Sequence, residues 1–143
     1  MNIIGWSRSL TPEKAKALGI GYCATLEELA EQSDAVSLHL ALSKETRGVI
    51  NADFFARMKK GAFLINTARA ELVDQAALAA AIESGQVAGA SMDVFRTEPP
   101  GEDPLVANDR VLATPHVGGF TDESVNRAVE TAVDNLLEEL TNQ

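Results

Sequence analysis

The sequence predicts an α/β protein built on a parallel sheet with helices packed on its faces. Two observations carry that expectation. Short apolar runs that read as strands alternate along the chain with segments whose apolar residues recur at helical spacing. Some of the runs, Ala35–Leu40 above all, are apolar almost throughout, as in strands buried on both faces. Parallel neighbours need crossover connections, and the intervening helices supply them. A length of 143 residues suits one domain, here 1–143, with a sizeable core.

The elements follow in order. Asn2–Trp6 is the first expected strand. Ser9 or Thr11 offers an N-cap and Pro12 a first-turn residue for a helix over Glu13–Leu18, ended by Gly19. Gly21–Cys23 is a short strand. Thr25 caps Leu26–Glu31, with Glu28 spaced to complete a capping box. Ala35–Leu40 is the third strand. Asn51 caps a helix over Ala52–Met58, and Lys59, Lys60 and Gly61 close it with cations at the negative end of its dipole. Ala62–Asn66 reads as another buried strand. Asp74 opens Gln75–Ser84, where Ala77, Leu78, Ala81 and Ile82 share one face, and Gly85 stops it. A strand over Val87–Val94 carries Asp93 at its end. Glu98–Gly101 is rich in turn residues. After a short strand at Val111–Thr114, a final helix runs from about Asp122 to Leu140. Its Val125, Val129, Val133, Leu136, Leu137 and Leu140 recur at helical spacing.

Composition removes several classes of function. The net charge is −9, and no block of Lys and Arg relieves it, so nucleic acid and anionic membrane surfaces are poor partners. Cys23 is the only cysteine and has no internal partner; it reads as a small buried hydrophobe. Met58 and Met92 read as core. The two histidines and the cysteine are scattered, so no metal site is expected. No apolar run approaches the roughly 18 residues of a membrane helix. A soluble, cytoplasmic protein is the expectation.

In open parallel sheets, ligands bind at the carboxyl ends of the strands. Ser7 and Arg8, His39, the Thr67-Ala68-Arg69 run, Asp93 and His116 all fall there. Arg69, Glu98 and His116 form a chemically coherent set. An arginine clamps a carboxylate with two parallel hydrogen bonds. A histidine exchanges a proton near neutral pH, and a glutamate beside it orients the ring and favours the imidazolium. On residue types alone, all three also read as ordinary charges in surface loops.

Four local words occur in order: LHLALSKETRGVIN, MKKGAFLINTARAELVD, VAGASMDVFRTEPP and ATPHVGGFTDE. Together they resemble the D-isomer-specific 2-hydroxyacid dehydrogenases, over most of positions 1–140. The resemblance implies a truncated, Rossmann-like, doubly wound parallel sheet lacking the first βα unit, because no G-x-G-x-x-G turn occurs in the sequence. It implies NAD or NADP as cofactor, weakly bound by this chain alone, and a small 2-hydroxy or 2-keto acid as substrate in the full-length context. By the same resemblance, Arg69 would bind the substrate carboxylate. His116 would protonate the C2 oxygen in reduction, with Glu98 paired to it. Asp93 would accept a hydrogen bond from the nicotinamide amide. Thr67, Ala68 and Gly118 would line the nicotinamide side, and His39 and Thr46 the nucleotide side. Each has a plainer reading: Asp93 as a strand-ending turn residue, His39 as a core histidine, Thr46 as the cap of the next turn.

Three departures from the family pattern bear on function. His39-Leu40-Ala41 stands where H-x-P is common, and Ala70-Glu71 follows Arg69 where two glycines are usual. Ser7-Arg8-Ser9 replaces the acidic residue that receives the ribose 2′-hydroxyl of NAD. Ser with Arg can accept a 2′-phosphate, which tilts the expectation to NADP. The competing function is a non-catalytic module used in self-association or weak nucleotide binding. The missing central strand predicts either direct pairing of the strands at Ile3–Trp6 and Val36–Leu40, or a homodimer or higher oligomer.

Overall fold

The computed structural model describes residues 1–142. In chain order the elements are β1 (Ile4–Gly5), α1 (Pro12–Leu18), β2 (Gly21–Tyr22), α2 (Leu26–Gln32), β3 (Ala35–Leu38), α3 (Ala52–Arg57), β4 (Ala62–Asn66), a 3-10 turn (Ala70–Leu72), α4 (Gln75–Glu83), β5 (Val87–Met92), β6 (Val111–Ala113) and α5 (Asp122–Thr141). Every strand pairing is parallel. Among the described residues, no helix is long and apolar enough to cross a membrane.

The helices begin where side-chain oxygens meet the free amides of a first turn. Thr11 accepts from the Lys14 amide, Thr25 from Glu28, Asn51 from Phe54, and Asp74 from Ala76 and Ala77. Glu28 reaches back as a capping-box residue does, but to the Ala24 amide at 2.8 Å, one residue before the cap. Gly19 ends α1 with φ 70°, a left-handed conformation that costs glycine nothing.

The strands fall into two sheets. One has four strands in the order β3-β4-β5-β6; the other is the β1-β2 pair. Direct pairing of β1 with β3, one of the two expected solutions, does not occur. Both strands keep an unpaired edge.

Val36, Leu38, Leu64, Val87 and Met92 pack one face of the four-stranded sheet against Ala30, Phe54, Phe55, Leu78 and Ile82 from α2, α3 and α4. Among the described residues no helix covers the opposite face. Ala35, Ser37 and Phe63 are therefore exposed, Phe63 by 52%. The expectation that β3 and β4 are buried on both faces is corrected: apolar residues alternate between a covered side and an open one. β3 also stops at Leu38, so His39 lies beyond the ladder and is exposed. Cys23, Met58 and Met92 are buried. α5 has no buried residue, and its apolar stripe faces outward.

Candidate active site

The carboxyl ends of β4 and β5 lie side by side, because the two strands pair from Ala62↔Val87 to Asn66↔Met92. Asn66 ends β4 completely buried. Its Nδ2 donates to the Arg69 carbonyl at 2.9 Å, and its Oδ1 accepts from the Ala68 amide at 3.0 Å. A buried amide satisfied on both sides gives the Thr67–Arg69 loop one shape. Arg69 then projects from that loop, exposed, with Nη1 donating to the Ala68 carbonyl at 2.6 Å.

Beyond β5 the chain passes through Asp93, which is 4% exposed. Its amide donates to the Asn66 carbonyl at 3.0 Å, so the two strand ends are joined past the last ladder residue. Its carboxylate reaches across to the loop after β6. The Thr114 hydroxyl donates to Oδ1 at 2.5 Å, the Val117 amide to Oδ1 at 2.9 Å and the Gly118 amide to Oδ2 at 2.9 Å. Burial pushes the Asp93 carboxyl up, but those three donors and the nearby His116 outweigh it and hold it below its ordinary value.

His116 sits in that loop at φ 56°. Its Nδ1 is 2.8 Å from Glu98 Oε2. The Phe95 amide donates to Glu98 Oε1 at 3.0 Å, and this bond together with the His116 contact lowers the Glu98 carboxyl below its ordinary value. Glu98 is therefore ionised at neutral pH and can only accept. The proton of the contact belongs to His116 Nδ1, which leaves Nε2 as the nitrogen that can exchange one.

The structure brings Glu98 and His116 into contact. Arg69 stands at the neighbouring strand end, and among the described residues it makes no ion pair with either. Ser7 follows β1 and accepts from the Leu10 amide at 3.1 Å. Arg8 is exposed, and its charge is felt by Glu45 in the loop after β3. His39 is held by the Ser37 hydroxyl at 2.9 Å. Thr46 is 9% exposed, and its hydroxyl donates to the Ala41 carbonyl and accepts from the Ser43 amide. Its side chain is thus spent on its own turn. Thr67 is exposed and Ala68 half-buried beside Arg69, and Gly118 lies next to Asp93.

Sequence reasoning missed Asn66 and Thr114. Asn66 did leave a signal, a polar residue closing the apolar run Ala62–Ile65. Thr114 left none, since its partner lies 21 residues away.

Comparison with known proteins shows the family of the chain. A family model described as D-isomer specific 2-hydroxyacid dehydrogenase, NAD binding domain, matches residues 1–118. The chain belongs to that family. It is 47% identical over 115 residues to the D-3-phosphoglycerate dehydrogenase of Bacillus subtilis, covering 80% of this chain and 22% of that protein. A glyoxylate reductase structure from Paecilomyes thermophila superposes with a TM-score of 0.85 at 41% identity, over 95% of this chain and 41% of that one. A D-isomer specific 2-hydroxyacid dehydrogenase from Xanthobacter autotrophicus Py2, solved with NADPH and MES, gives a TM-score of 0.73 at 41% identity, over 81% and 37%. The chain therefore spans well under half the length of each of these relatives.

Proposed function

We propose that the chain is the cofactor-domain part of an NAD(P)-dependent oxidoreductase that interconverts D-2-hydroxy acids and 2-keto acids. The observation that carries this reading is the Glu98–His116 pair at 2.8 Å, standing at a strand end beside the loop that presents Arg69. Arg69 grips the substrate carboxylate through its planar fork and draws electron density from the C2 carbonyl. His116, with Nδ1 held by Glu98, delivers a proton from Nε2 to the C2 oxygen in reduction and removes it in oxidation. A bound nicotinamide supplies or takes the hydride at C2.

The residues present fit parts of such a cofactor. Thr67, Ala68 and Gly118 offer small or polar groups at the ends of β4 and β6, and exposed His39 lies past β3. Exposed Arg8, after β1, supports a 2′-phosphate and hence NADP. The 143 residues hold no glycine-rich phosphate turn, whose amides make the pyrophosphate site. Calorimetric titration of the chain with NADP and NAD is therefore expected to show weak binding, with NADP ahead. Binding on the order of micromolar would show that another segment holds the pyrophosphate. The activity is tested in the full-length context against a panel of 2-keto acids; no turnover with either cofactor overturns the reading.

The proposed setting is a cytoplasmic homodimer or higher oligomer. The exposed apolar stripe of α5 and the open edges of β1 and β3 support association.

A further inference from the structure

We infer that Asp93 is the positioning residue of His116: by gathering Thr114, Val117 and Gly118 onto one buried carboxylate, it sets the turn that carries His116 to Glu98. The inference rests on the proposed acid–base role of His116, but its geometry does not depend on that role.

His116 occupies the left-handed region at φ 56°, which is unfavourable for a residue with a Cβ. Its amide donates to the Thr114 carbonyl at 3.0 Å, which closes a tight turn over Pro115. Such a turn needs outside support. The three donors to Asp93 bracket His116, with Thr114 before it and Val117 and Gly118 after it. Only an ionised carboxylate offers enough acceptors for all three, since a carboxamide would turn an NH2 toward a donor. Gly118 is part of the fit: a Cβ there would lie 3.0 Å from Asp93 Oδ2, and a carboxylate held by three donors across its two oxygens cannot easily retreat.

The same residue ties the two halves of the site together. Asp93 is bonded through its amide to the Asn66 carbonyl, and the Asn66 side chain is bonded to the Arg69 carbonyl. Both oxygens of Asp93 are thus engaged by this chain before any cofactor is considered.

The test uses the 143-residue chain labelled with 15N, in which the two histidines give two imidazole signals. At alkaline pH a neutral imidazole in water favours the Nε2–H tautomer, whereas His116 bonded to Glu98 keeps its proton on Nδ1. Asp93→Asn is expected to abolish the Nδ1–H signature of His116 and to move the Val117 and Gly118 amide signals upfield. Glu98→Gln is expected to remove the His116 signature while leaving those amides in place. Gly118→Ala should act in the direction of Asp93→Asn, and Thr114→Val more weakly. Methyl signals of Leu64 and Val87 report whether each variant is folded. A folded Asp93→Asn with the His116 tautomer unchanged overturns the inference. If Asp93→Asn does not fold, Gly118→Ala and Thr114→Val decide, and an unchanged tautomer in both overturns it. The readout needs neither cofactor nor substrate, so its failure is distinct from failure of the dehydrogenase reading.

Discussion

Arg69 is exposed, and its Nη1 donates to the Ala68 carbonyl of its own loop, so the proposed role asks it to hold a ligand rather than to support the core. Arg69→Ala is expected to cost orders of magnitude in turnover in the full-length context. Arg69→Lys should recover little, because an ammonium is a point charge and cannot match both carboxylate oxygens. Steady-state rates with a 2-keto acid check this, and near-normal turnover of the alanine variant removes Arg69 from the chemistry. Asp93 behaves differently, because it is buried and its donors from Thr114, Val117 and Gly118 hold its carboxyl below the ordinary value in the folded chain. A depressed carboxyl stabilises the fold fully above its unfolded value, about 3.9, and that stability is lost as pH falls through the folded value. Urea unfolding should therefore show a wide gap between wild type and Asp93→Asn at neutral pH, narrowing in acid below the carboxylate range. A gap that stays constant with pH contradicts this linkage. The types and loop positions of Arg69, Glu98 and His116 were legible in the sequence. Their supports were not, because Asn66 and Asp93 act through backbone groups that only folding brings near.

Helix starts were the most legible elements. Thr25, Asn51 and Asp74 cap as expected, and of the two candidates Ser9 and Thr11 it is Thr11 that caps α1, since a cap joins groups two or three residues apart and needs no tertiary contact. Asp74 Oδ1 accepts from two amides, at 3.0 and 3.1 Å. Asp74→Ala is thus expected to destabilise the chain by about 1 kcal/mol, read as a lower urea midpoint at unchanged slope. No change in midpoint would mean that water replaces the cap without loss. The strands were less legible. β4 has the expected bounds, but β3 and β5 each end two residues early. An apolar run shows that some face is covered, not how far the ladder extends or which side carries a helix.

At the scale of the whole molecule, the strand edges and α5 stand open besides the uncovered sheet face. The β1-β2 pair and the four-stranded sheet share no hydrogen-bonded strand, so an edge of each presents unpaired backbone groups. α5 exposes Val125, Val129, Val133, Leu136, Leu137 and Leu140 by 46% to 60%. A helix of this kind gains most of its stability from burying its apolar face. The chain is expected to sediment as a dimer or larger species. Val129→Lys combined with Leu136→Lys should shift it toward monomer, with the helix signal in circular dichroism reduced by loss of packing. A wild-type chain that sediments as a monomer overturns the association.

The sequence by itself determined the α/β class, most of the helix caps, the strand ends after which the candidate residues fall and the family, since each is written in local spacing or in linked words. Tertiary structure alone decided that β1 and β3 stay apart, that one sheet face lies open, and that Asp93 turns back to hold the His116 loop. Those outcomes depend on contacts between distant segments: the carboxylate of Asp93 meets the amides of Val117 and Gly118 across 24 and 25 residues of chain, a separation on which local pattern is silent.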